Sequence, residues 1–253
     1  MAPVSTPAVL LRAHDYGDTS RILRFYTRDH GLVSVMARGV RGRSGKGATT
    51  LSTFASGDLT AYLKQDRDLH TMKDFGCKNL RAPLGQDVLR FAGAAALSEL
   101  VLAHADQEAH PELFEGLESS LDVLVVSDAA GAPAAALSGL WRITEAFGFA
   151  PQLDSCVRCD TLLGGEEVGR FDFEAGGVRC AECAEGAAGP RLGPGARRQV
   201  LALLAGTLDT EITHARRHLR VLSDFVAYHL VPRPLKSFHF LDGLLPQEEV
   251  QAT

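Results

Sequence analysis

At 253 residues, 45% hydrophobic and 23% charged, the chain has the size and composition of a folded protein with a substantial core. No apolar run approaches the ~20 residues of a membrane helix, and the first residues lack a basic leader, so neither a membrane span nor a secretory signal is expected. The net charge of −5 speaks against a nucleic-acid partner only until its distribution is read: residues 1–81 hold thirteen Lys/Arg against seven Asp/Glu, residues 82–190 five against eighteen, and residues 191–239 eight against three. Two basic regions flank an acidic centre, and an anionic polymer could follow the basic ones.

The first eighty residues read as β. A short run at 9–11 leads to the turn cluster Asp15-Tyr16-Gly17-Asp18. Residues 20–27 alternate, with Leu23 and Phe25 on one face and Arg24 and Tyr26 on the other. Asp29-His30-Gly31 turns the chain into a second alternating run at 32–37, which makes a hairpin. Further strands are expected at 51–54, 59–63 and 69–75. Five or so short strands in this length fit a small closed barrel of the oligonucleotide/oligosaccharide-binding (OB) type. Between them lies a glycine–arginine loop, in which Arg38, Arg41, Arg43 and Lys46 are spread among Gly39, Gly42, Gly45 and Gly47. It is not a nucleotide-hydrolysing P-loop, because Gly47 stands where Ser or Thr must hold magnesium and Val40 stands where the first glycine is required. A basic arm gripping a sugar–phosphate backbone fits better. Tyr26 and Tyr62, beside Arg24 and Lys64, are the expected outward faces on which bases could stack.

After Pro83 the period becomes helical. Residues 87–104 are apolar around most of the circumference, as in a central buried helix. Pro111 and Pro133 open two more helices, the second stopping at Gly148. Residues 184–195 read as a linker, and 197–204 and 215–230 as the last two helices. The resulting organisation is α+β and multidomain: an OB-like barrel over 1–81, a helical domain over 82–150 and 191–253, and a cysteine knuckle inserted at 151–190.

The knuckle carries Cys156-Val-Arg-Cys159 and, twenty residues on, Cys180-Ala-Glu-Cys183. Each pair sets two sulfurs at one turn, and two such turns close a tetrahedron around one ion; four thiolates leave no position for water, which makes a structural Zn2+ the expected cofactor. Four of five cysteines in this spacing suit a reducing cytoplasm, and Cys77 is left as apolar filler. A zinc deaminase built on His110, Glu112 and one cysteine pair fits poorly, since Ser155 stands where proline should precede the first cysteine and a second pair would be idle. No catalytic residue is assigned.

The motifs Asp15-Tyr16-Gly17-Asp18, Thr27-Arg28-Asp29-His30-Gly31, Ala37-Arg38-Gly39-Val40-Arg41 and the closing Pro234-Leu235-Lys236-Ser237-Phe238-His239-Phe240-Leu241 resemble the bacterial recombination mediator RecO family. The order of barrel, helices, knuckle and final helices is similar too. The resemblance implies a non-enzymatic, cytoplasmic, nucleoid-associated DNA-repair protein. It would bind single- and double-stranded DNA, anneal complementary strands, contact the tail of single-strand-binding protein and, with RecR, help load RecA. Carried onto this chain, the barrel and its Arg38/Arg41/Arg43/Lys46 loop would hold DNA, with Lys236 as a further contact. A zinc-stapled protein-interaction adaptor without direct annealing is the second reading.

Overall fold

The computed structural model describes residues 2–41, 51–64, 67–207 and 212–247. Five strands open the chain: β1 (Val4–Tyr16), β2 (Ser20–Thr27), β3 (Gly31–Ala37), β4 (Ser56–Tyr62) and β5 (Leu69–Asn79). They close in the order β1-β2-β3-β5-β4, with β4 returning to β1 and β3 running parallel to β5. A five-stranded closed barrel of this order is the OB-like architecture. Alternation along the strands fills it: Ala8, Leu10, Leu23, Phe25, Val33, Val35, Leu59 and Phe75 point inward, with the Phe25 and Phe75 rings 5.0 Å apart.

The outward set behaves differently on the two sides of the barrel. Val9, Leu11, Tyr26 and Phe54 do not meet solvent but join the core of the helices that follow. The strand expected at 51–54 is a correction: this stretch is a turn. Phe54 adopts φ 73°, its N–H donates to the Leu10 carbonyl at 2.7 Å, and its ring meets Phe91 edge-on at 5.5 Å. Packing against the helices overrides the strand propensity of Leu51 and Phe54.

Helices α1 (Val88–His104), α2 (Pro111–Val126) and α3 (Ala132–Ala146) form the first part of the helical body. Asp87 caps α1 by accepting from the Arg90 N–H at 2.8 Å, and Gly148, at φ 92°, lets the chain leave α3. Small residues allow close helix contact: a Cβ on Gly93 would sit 3.0 Å from that of Ala136. Three short strands follow, β6 (Gly169–Asp172), β7 (Gly177–Arg179) and β8 (Arg191–Leu192), in the order β7-β6-β8. Then come α4 (Pro194–Ala205), α5 (Ala215–His229) and α6 (Lys236–Leu244).

Two expectations fail in this half. The linker at 184–195 contains β8 and the first two residues of α4. And α5 is not the last helix: α6 follows Pro232 and Pro234, whose positions mask a real helical period in Leu235, Phe238, Leu241 and Leu245, all buried. Pro234 lies outside the helix, before its cap at Leu235, where proline costs nothing.

The barrel is bolted to the helices at defined points. Leu32 donates its N–H to the Asp106 carbonyl at 2.7 Å, and Arg28 pairs with Glu115 of α2 at 3.2 Å. Arg81, 4% exposed, donates to Asp122 at 2.7 Å, to Glu118 at 3.2 Å and to the Phe54 carbonyl at 2.8 Å. Part of the acidic centre read in the sequence is therefore consumed inside the molecule by barrel arginines.

Candidate nucleic-acid interface and four-cysteine centre

The four sulfurs of Cys156, Cys159, Cys180 and Cys183 lie within 4.8 Å of one another, and none is in a disulfide. A tetrahedron with metal–sulfur bonds of ~2.3 Å has edges of about 3.8 Å, and the Cys159–Cys180 separation is 3.8 Å. The N–H groups of Arg158 and Cys183 point at Cys156 Sγ and Cys180 Sγ, each at 3.4 Å, the pattern that stabilises thiolates in such turns. Burial opposes ionisation of Cys156, but the surrounding backbone donors outweigh it and bring the thiol down to about 6. Hydrogen bonding with Cys180 and Cys159 drives Cys183 the other way, to about 12. Four thiolates share this space only with a cation between them, so the donor set fits a structural metal.

The knuckle is rooted in the helical body. Its Phe171 meets Phe225 of α5 at 5.9 Å, and the buried Arg197 of α4 donates to the carbonyls of Leu153, Gly164 and Glu167. The Glu167 carboxylate accepts from Ala181 and Gly164, tying the second cysteine turn to the glycine turn after the first. His110, considered as a zinc ligand, instead caps α2 by accepting from the Leu113 N–H at 3.2 Å, and the sulfurs gather without it.

On the barrel, register sets the exposed surface. Arg12 of β1 lies opposite Arg24 of β2, Arg24 opposite Ser34 of β3, and Ser34 beside Leu69 of β5. The adjacent row is His14, Ile22, Met36 and Thr71. Cross-strand partners share a face, so these residues form the uncovered remainder of the surface whose other part, Tyr26 and Leu32, is roofed by the helices. Burial and the nearby Arg12 charge both lower the Arg24 pKa.

The proposed site residues fare unequally. Arg38 is exposed just beyond β3. Arg41 is exposed but engaged: its N–H donates to the Thr19 carbonyl, and its guanidinium to the Gly17 carbonyl at 2.8 Å and Asp15 at 3.1 Å, which fixes the start of the glycine–arginine loop against the β1–β2 turn. Arg43 and Lys46 lie outside the described residues. Tyr62 is half-buried at the end of β4, near the exposed Lys64, whose N–H donates to His70 Nδ1 at 3.2 Å. Tyr26 requires correction: at 1% exposure it presents no ring to solvent, and burial, with Asp106 nearby, pushes its phenol up to about 12. Alternation placed it outside the barrel, and the helices occupy that outside.

Lys236 opens α6. Its backbone N–H and the N–H and hydroxyl of Ser237 are held by the Glu99 carboxylate of α1, with Ser237 N at 2.7 Å and Oγ at 2.5 Å. Burial raises the Glu99 pKa, but these donors, assisted by Arg12, leave it below the ordinary value. Arg12 was not singled out from sequence, yet it stands opposite Arg24 on the barrel and its charge reaches the carboxylate that holds α6.

The model for recombination protein O, N terminal, matches residues 1–80, and that for its C terminal matches residues 85–239. Curated relatives named DNA repair protein RecO align along nearly the whole chain. One from Anaeromyxobacter sp. (strain K) is 33% identical over 263 residues, 97% of this chain and 98% of its own. One from Cutibacterium acnes is 33% identical over 249 residues, 93% and 97%. One from Nocardioides sp. is 30% identical over 243 residues, 93% and 97%.

Proposed function

Because the chain belongs to the recombination protein O family of DNA-repair proteins, we propose that it is a non-enzymatic recombination mediator. It binds single- and double-stranded DNA, anneals complementary strands and, with RecR, helps load RecA onto strands coated by single-strand-binding protein, whose acidic tail it contacts. The observation that carries this reading is the outer row of the barrel, where Arg12 and Arg24 stand side by side and, among the described residues, neither has a carboxylate within ion-pair distance. Arg38 and Lys64 extend the positive surface at the strand ends.

Annealing needs no nucleotide hydrolysis. Two strands repel through their phosphates; a basic surface neutralises part of that charge and releases counterions, and base pairing then supplies the free energy. The metal in the four-cysteine centre is Zn2+, and its role is to hold the knuckle closed against α4 and α5.

Fluorescence anisotropy of a labelled single strand tests the reading. With four phosphates engaged, raising salt from 50 to 200 mM weakens binding about fifty-fold. Arg38→Glu lowers affinity equally for all sequences, and complementary strands anneal faster with the protein, without ATP. A salt-independent affinity, or no acceleration of annealing, refutes the proposal.

A further inference from the structure

The barrel face does not end at the barrel. Arg12 and Arg24 face each other directly across the β1–β2 ladder, an arrangement in which like charges destabilise a sheet. Glu99 is the acidic group whose carboxylate senses Arg12, yet its oxygens are committed to the α6 backbone and to Ser237. That commitment pins the backbone of Lys236, itself exposed, beside the same carboxylate. Arg12, with Arg24 opposite it, and the start of α6 at the exposed Lys236, more than two hundred residues from Arg12 in the chain, thus both border one carboxylate already occupied by hydrogen bonds.

We propose that Arg12, Arg24 and Lys236 together hold one phosphodiester group of a bound strand, so that the strand crosses from the barrel onto α6 and touches both halves of the chain at once. The inference rests on the DNA-binding reading and adds a position, a residue and a path to it. A phosphate seated there supplies the countercharge that the facing arginines lack. Glu99 serves as a positioning residue: it aims the start of α6 at the barrel while leaving the guanidiniums to the ligand. Arg12 thereby has a role distinct from that of Arg38, which is exposed just beyond the end of β3.

The test uses the full chain with a 5′-labelled oligothymidylate of about 16 nucleotides, the upper end of what one such barrel covers. Arg12→Gln, Lys236→Gln and the double variant are compared with wild type across a salt series, with thermal unfolding as the check on folding. Each single variant should lose about five-fold in affinity and lower the salt slope by about 0.7, the share of one phosphate contact on a single strand. The double variant should lose clearly less than the product of the two, because both side chains serve one phosphate. Glu99→Gln, which keeps an acceptor for Ser237, should bind at least as tightly as wild type. Arg12→Gln at wild-type affinity and slope overturns the inference while leaving DNA binding itself intact, and strictly multiplicative losses overturn the shared site. Absence of binding by the wild-type chain removes the functional reading and the inference with it.

Discussion

Replacing Arg81 by methionine removes the buried guanidinium at the junction of barrel and helices while keeping a comparable apolar length. Three losses follow. The Phe54 carbonyl, inside the junction, loses its donor at 2.8 Å, and a buried acceptor left bare costs about 1–3 kcal/mol. The pairs to Glu118 and Asp122, at 3.2 and 2.7 Å, lose their cation. Because those carboxylates are 33% and 53% exposed, water screens them and the pairs together contribute only about 1 kcal/mol. The sum is about 3 kcal/mol, which for a chain of this length lowers the melting temperature by roughly 6–12 °C. Arg81→Lys should recover little, since one ammonium cannot reach three acceptors that the planar fork meets together. Calorimetry or circular dichroism measures the shift. A change below about 1 kcal/mol would mean that the junction is held by apolar contact alone and that this accounting of Arg81 is wrong.

Tyr26→Ala should cost about 3–5 kcal/mol of stability, as expected for a large buried ring, whereas Tyr62→Ala should leave melting nearly unchanged and weaken single-strand binding; reversed effects would refute the assignment of the two rings. Cys156→Ser, or a strong chelator, should release one zinc ion per chain, read with a colorimetric indicator, and lower the melting temperature; metal retained after the substitution would exclude the four-thiolate centre. His218, 5% exposed with its Nε2 2.8 Å from Gln199 Oε1, is held neutral by burial with a pKa of about 4, with the nearby His214 adding to the shift. The unfolded chain takes up its proton near pH 6.5 and the folded chain only near pH 4, so this residue's stability contribution is lost as pH falls through that window. The loss reaches about 3 kcal/mol. Urea titrations of wild type and His218→Gln between pH 7 and 4.5 should converge on acidification, and parallel curves would disprove it.

What could be read from sequence followed the strength of local signals. Strand β2 and the β2–β3 hairpin were legible because strict alternation met a glycine that must take positive φ, at Gly31. The cysteine centre was legible because two turns with fixed spacing need no tertiary context to declare themselves. Alternation, however, tells which residues share a face and not what lies over it, which is why Tyr26 looked like a platform and proved to be a floor. Arg12 escaped for a related reason. The register shifts between Leu10 and Arg12, so counting by twos from Ala8 and Leu10 places Arg12 inside the barrel when the bulge turns it out. Helix α6 was hidden by prolines that flank it, and the cap that starts it comes from Glu99, 138 residues upstream of Ser237, beyond any local pattern.

At Gly31 the barrel touches the segment after α1 so closely that a methyl group would fall 2.6 Å from the Asp106 carbonyl oxygen and nearer still to that of Glu108. That hairpin tip cannot lengthen or gain a side chain without prising the two halves apart. The opposite rim carries no such steric lock: an added Cβ at Gly17 or Gly39 meets nothing within 4 Å, and what keeps these positions glycine is their positive φ, 57° and 69°. The two ends of the barrel are therefore guarded differently: the Gly31 corner by steric contact with the helical half, the Gly17–Gly39 end by glycine backbone conformation and by the Arg41 bridge to Gly17 and Asp15.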